Sequence, residues 1–175
     1  MTASRSNAAP VVLANRREMN GFRRRGGSLK ALLLGSAVLL SPMSAHAQAL
    51  DLAGVSQSVD NRTGAGNVTN TGGVGPATLT FTTAAGSFNM SGAIVETSLA
   101  EQISIVMNGA LGTQQNLNAH NTYTGGTTIT SGTLGFGFGD SFGSGVITLN
   151  GGTMAATGTG ITVNNDINVT ADSRI

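Results

Sequence analysis

From Gln48 onward, glycine and asparagine cut the chain into short runs in which polar and apolar residues alternate. Thr78-Leu79-Thr80-Phe81-Thr82 is one such run. Gly145-Val146-Ile147-Thr148-Leu149-Asn150, Ile161-Thr162-Val163 and Ile167-Asn168-Val169 are others. A period of two turns one face of each run inward and the other outward, as in a half-buried strand. Threonine and valine reinforce this, because branching at Cβ stiffens χ1 and suits the pleat. The breaks are as regular as the runs. Of 26 glycines, 22 follow Gln48. Gly72-Gly73, Gly125-Gly126, Gly151-Gly152 and Asn164-Asn165 are expected to supply the positive φ of tight turns.

Many short strands at near-regular spacing fit a sandwich, a barrel or a β-solenoid. Strand length favours the last. A sandwich joins strands of five or more residues through Asn-Gly hairpins. Asn108-Gly109 and Asn150-Gly151 could serve as such turns, but many runs here hold only three or four residues. Brief strands, corners and like stacked on like describe a solenoid, whose Asn and Thr side chains can ladder from rung to rung. Aromatic residues make up 4% of the chain and tryptophan is absent. A thick globular core would be poorly filled, whereas a thin stacked core needs only small branched residues at each rung. At roughly 20 residues per coil, residues 48–175 make about six coils.

The first 47 residues have a different character. Arg5, Arg16, Arg17, Arg23, Arg24, Arg25 and Lys30 stand against Glu18 alone, a net charge of +6. Residues 48–175 carry Arg62 and Arg174 against seven carboxylates, a net charge of −5. The basic half precedes the apolar run Leu29-Lys30-Ala31-Leu32-Leu33-Leu34-Gly35-Ser36-Ala37-Val38-Leu39-Leu40, which Ser41-Pro42 ends. Ala45-His46-Ala47 then supplies the small-x-small pattern read by signal peptidase, so cleavage is expected before Gln48. The apolar run is shorter than the ~20 residues that span a bilayer. Residues 1–47 are therefore read as a helical signal peptide handled by the Sec translocon and signal peptidase. Its n-region is long, and either this is an extended signal or the true start is Met19. Negative charge on the exported part disfavours nucleic acid as a partner. Without cysteine there is no disulfide framework.

The run Asn121-Thr122-Tyr123-Thr124-Gly125-Gly126-Thr127-Thr128-Ile129-Thr130-Ser131-Gly132-Thr133-Leu134 resembles the autotransporter-associated β-strand repeat, also called the passenger-associated transport repeat. Gly143-Ser144-Gly145 through Gly152-Thr153-Met154 resembles the strand-turn-strand that follows it. Val68-Thr69-Asn70-Thr71-Gly72 and Phe88-Asn89-Met90-Ser91-Gly92-Ala93-Ile94 resemble the run-in. The resemblance covers most of residues 60–175 and is most specific in the fourteen-residue block. It implies a right-handed parallel β-helix, with N-terminal coils over 48–118 and the repeat with its following coils over 119–175. It also implies surface display or adhesion, host-surface or self-association ligands, and export through a C-terminal outer-membrane β-barrel. Folding rung by rung would assist that export. No barrel-like strands occur within this sequence, and the chain reads as the front of a longer protein or a truncated product. It is then expected at the cell surface as part of a full autotransporter, or in the periplasm on its own. One departure stands out. Where the family carries a Gly-Thr-Leu-Thr-Leu-like strand, Gly112-Thr113-Gln114-Gln115-Asn116-Leu117-Asn118-Ala119-His120 is more polar and reads as an imperfect or looped-out strand.

Catalytic chemistry finds little support in these residues, and neither a cofactor nor a metal site is expected. His120 is the one histidine after the leader and reads as a solvated side chain at a turn. A Ser-His-Asp triad would need it as the base. Glu96 and Glu101 flank Thr97-Ser98-Leu99-Ala100 and read as loop charges that keep an edge soluble, not as a glycosidase pair. Gly135-Phe136-Gly137-Phe138-Gly139-Asp140 has neither calcium-nonapeptide nor dinucleotide spacing. Phe136, Phe138 and Phe142 are expected inside a coil or over its end, with an exposed adhesive patch as the alternative. The leading expectation is a non-enzymatic structural passenger segment. The alternatives are a stalk whose enzymatic domain lies beyond Ile175, and a stand-alone carbohydrate-active β-helix.

Overall fold

The computed structural model describes residues 48–60, 62–72, 75–82 and 84–175. The expected leader, with Ala45 and Ala47, lies outside the described residues.

The alternating runs fold into short strands, three to a coil at first. β1 (Leu50–Asp51) and β2 (Gln57–Val59) belong to the first coil. β3 (Val68–Thr69), β4 (Ala77–Phe81) and β5 (Gly86–Met90) form the second, and β6 (Ile94–Val95), β7 (Ile103–Asn108) and β8 (Thr113–Leu117) the third. β9 (Thr127–Ser131) with β10 (Thr133–Phe136), and β11 (Ile147–Asn150) with β12 (Thr153–Ala156), give two strands to each of the next coils; β13 (Ile167–Ala171) follows. Among the described residues, the only helical segment is a 3-10 turn at Leu99–Glu101.

Among the described residues every strand pair is parallel, and strands adjacent in sequence do not pair. The sheet orders are β1-β3-β6, β2-β4-β7-β9-β11-β13 and β5-β8-β10-β12. The chain therefore visits three sheets in turn and stacks each coil on the last: a parallel β-solenoid of about five turns. Asn108-Gly109 and Asn150-Gly151 are corners between sheets, not hairpins. In the longest sheet Gln57, Leu79, Ile105, Thr127, Ile147 and Ile167 lie in one column, so successive coils advance by 22, 26, 22, 20 and 20 residues. The 26-residue coil contains the 3-10 turn, whose Leu99 is exposed.

Alternation places one inward residue in every two, and the inward columns make the core. Leu79, Ile105, Thr127 and Ile147 are buried along one column. Phe81, Met107, Ile129 and Leu149 are buried along the next. Leu134 and Met154 meet them from β10 and β12. Outward positions such as Thr80, Thr128 and Thr148 stay half-buried, as the pleat requires.

Three local expectations are corrected. The polar segment 113–117 is not looped out: β8 pairs with β5 on one side and β10 on the other. Its inward Gln115 is fully buried, but its amide exchanges hydrogen bonds with the backbone of Arg62, accepting from the N–H at 3.1 Å and donating to the C=O at 2.9 Å. Asn116 donates to Asn89 one coil away. A satisfied amide is tolerated inside a coil where an orphaned one would not be. Ile161-Thr162-Val163 is not a strand, although Ile161 and Val163 pack against the core. Asn164-Asn165 does not supply positive φ. Ala53 is the one non-glycine residue to do so among the described residues, while Gly72, Gly126 and Gly151 adopt it as expected.

The sheet β1-β3-β6 ends at β6, and side chains take over its role. Thr122 N–H donates to the Ile94 carbonyl. Asn121 Oδ1 accepts from Ile94 N–H, and its Nδ2 donates onward to the Ser141 carbonyl. Two coils on, Asn165 donates to the carbonyls of Gly143 and Gly145. This face, built of loops pinned by asparagine, is where the polar clusters collect.

Candidate functional site

The block 121–134 forms the larger part of one coil, with β9 and the start of β10, and its residues serve to stack that coil on its neighbours. Asn121 is buried and bridges the coils on both sides, as above. Tyr123 is fully buried and its hydroxyl shares a hydrogen bond with Thr127 at 2.7 Å. Burial pushes the phenol well above its usual pKa, and the bond to Thr127 offsets part of that rise. Thr124 gives its N–H to Glu96 Oε1 and its hydroxyl to Glu96 Oε2, both at 2.8 Å. A Cβ on Gly125 would run into Ser104 Oγ and the Ile103 carbonyl, and Gly126 holds φ +84°. Thr127 and Thr128 open β9, the first inward and the second outward. Gly132, at φ +74°, turns the corner, and Thr133 and Leu134 start β10 with Leu134 buried. The repeat-like residues thus sit together, as one rung with its two corners.

Glu96 is more than a loop charge. Besides Thr124 it accepts the backbone N–H of Ile103 at 2.5 Å, so one carboxylate fastens residues 7 and 28 positions away. Glu101 accepts from the hydroxyls of Thr97 and Ser98 and from Gly72 N–H. The Thr97 bond, chiefly, holds its pKa below the usual glutamate value, against partial desolvation and the nearby charge of Asp51. Arg62 reaches the carbonyls of Gln48 and Gly66 through Nη2, while its buried Nε has no partner among the described residues.

One further cluster lies exposed on this face. His120 Nδ1 lies 2.9 Å from both carboxylate oxygens of Asp140, with both side chains more than half exposed. The two residues are one 20-residue coil apart, so stacking brings them side by side. The imidazole also lies over the Phe138 ring, centroids 4.2 Å apart. The phenylalanines divide accordingly. Phe136 and Phe142 pack together inside the coil at 5.1 Å, whereas Phe138 is 39% exposed. Beside His120 opens a cleft of about 480 Å³ lined by Gly139, Asp140, Gly143, Ser144, Asn164 and Asn165. A second groove of about 380 Å³ runs over the outward threonines of the longest sheet, among them Thr78, Thr128 and Thr148.

The sequence reading identified the coil-forming block but missed the Glu96 clamp and the His120–Asp140 pair. The second was findable, since a 20-residue period sets position 140 beside position 120. Comparison with family models, curated proteins and solved structures finds no match to any of them.

Proposed function

We propose that this chain is a non-enzymatic passenger segment of an autotransporter-like protein, exported by Sec and displayed at the cell surface beyond an outer-membrane β-barrel. One observation carries the reading. The fourteen residues that resemble the transport repeat fold as the larger part of a single coil, and their Asn121, Thr124 and Gly125 contact the neighbouring coil directly. A formed coil therefore presents the next one with a complete template of strand edges and buried acceptors. A chain emerging from a pore can add such coils one at a time, and each addition disfavours sliding back. Adhesion or display is the use that suits a long, thin scaffold of this kind.

The test is to place residues 48–175 ahead of an autotransporter translocator barrel in a Gram-negative host. Surface labelling of intact cells should detect the segment, and Asn121→Ala with Gly125→Val should lower the labelled fraction severalfold at equal expression. Retention of the unsubstituted segment in the periplasm would refute the reading. N-terminal sequencing of the product of the full chain should begin at Gln48.

A further inference from the structure

We propose that the cleft beside His120 is a binding site for a neutral sugar ring, such as a hexose or N-acetylhexosamine unit of a glycan. Many polar groups on this face are already engaged. Asn121, Ser141, Thr124 and Glu96 spend their side chains on coil-to-coil hydrogen bonds. His120 Nε2, Ser144 Oγ, the Asn164 amide and Asn165 Oδ1 have no partner among the described residues, and all four residues line one cleft. Asn165 is anchored by the two bonds from its Nδ2, so its Oδ1 is held in a fixed direction.

The imidazole is fixed as well. A carboxylate only accepts, so the proton of the neutral ring resides on Nδ1 and Nε2 offers a lone pair. Phe138 backs one face of the ring. An exposed pair of this sort contributes little to stability, even though it spans two adjacent coils. What it does is hold a flat ring and a directed acceptor at the edge of a cleft. The size falls within the usual range for small-ligand sites. Fixed acceptors, the Asn164 amide and a hydroxyl match the alternating donors and acceptors of adjacent sugar hydroxyls. Asp140 retains lone pairs beyond those facing His120 and accepts further hydroxyls. The same carboxylate, with Asp166 following Asn165, repels phosphate, sulfate and uronate groups, which sets the class as neutral. At Gly139 and Gly143 the neighbouring coils approach closely, since a Cβ at either would strike the carbonyl of Thr162 or of Tyr123.

The experiment is a titration of the isotope-labelled protein, followed by NMR, with glucose, galactose, mannose and N-acetylglucosamine, and with glucuronate as the anionic control. At least one neutral sugar should shift the signals of His120, Ser144, Asn164 and Asn165 saturably, while glucuronate does not. His120→Ala and Asn164→Ala should each weaken that binding about fivefold or more, the loss of roughly one hydrogen bond. Neither side chain joins two coils through an internal bond other than the exposed contact to Asp140, and unchanged amide signals in β7, β9 and β11 would report an intact fold. No saturable shift with any of the four neutral sugars overturns the proposal. So do shifts that survive both substitutions, or glucuronate binding as tightly as the neutral sugars.

Discussion

At Glu96 a single side chain decides whether two loops stay joined. Its carboxylate accepts the N–H groups of Ile103 and Thr124 and the hydroxyl of Thr124. Removing it orphans two backbone donors in a partly buried corner, and hydrogen bonds to a charged acceptor are the stronger kind. Glu96→Ala should therefore cost about 2–3 kcal/mol in urea unfolding, and Glu96→Gln less, because the amide keeps one accepting oxygen. Equal stability of Glu96→Ala and the parent would contradict the clamp. Glu101 calls for a different measurement. Its folded pKa lies below the ordinary value, chiefly through Thr97, so the unfolded chain binds its proton more readily. Its stabilising contribution is then fully present above the ordinary glutamate pKa, and is lost as the pH falls through the folded value. Thr97→Val removes the largest cause. The carboxyl titration of Glu101 followed by NMR should move upward in that variant; an unmoved midpoint would show that Thr97 does not set it.

The corners and strands separate what a sequence can disclose from what it cannot. β4, β11 and β13 lie where alternation placed them, because their inward residues are apolar: Leu79 and Phe81, Ile147 and Leu149, Ile167 and Val169. β8 breaks the rule, since its inward Gln115 is satisfied by Arg62, 53 residues away. No local pattern encodes a partner at that distance. The run 161–163 errs in the other direction: its alternation is right and its side chains do face the core, yet no strand pairs with it. The site divides in the same way. The coil-forming block was legible because its glycines and asparagine act on adjacent residues, whereas Glu96 and the His120–Asp140 pair depend on how coils align. Glycine also differs from corner to corner. Gly125 faces Ser104 and the Ile103 carbonyl with no room for a Cβ, whereas at Gly158 a Cβ meets only the tip of Ile161 at 3.4 Å and φ is not positive. Gly125→Ala should cost about 1–3 kcal/mol through forced displacement of the neighbouring coil. Gly158→Ala should lie within about 1 kcal/mol of the parent, on the stabilising side if the unfolded chain loses freedom. Thermal melts of the two variants check the contrast, and equal losses would count against it.

In a stacked molecule, the worth of a core residue depends on how many coils cover it. Ile129 lies between Met107 and Leu149 in one inward column and is fully buried. Ile167 and Val169 continue the inward columns from Ile147 and Leu149, yet they are 40% and 58% exposed because β13 has a neighbour on one side only. In a solenoid stability is approximately a sum of coil terms and nearest-neighbour interfaces. Deleting side-chain volume from a middle rung leaves a cavity lined from above and below, whereas at an end rung it mostly removes area that water already reaches. Ile129→Ala should thus cost about 2–5 kcal/mol and Ile167→Ala a fraction of that. Amide exchange should follow the same gradient, slowest in β7 and β9 and fastest in β13, because opening the end rung breaks one interface and opening a middle rung breaks two. Uniform exchange along the longest sheet would instead mean that the coils open together. The rung-by-rung growth on which the export reading depends would then have no physical basis, since a coil that cannot form on its neighbour alone cannot be added one at a time.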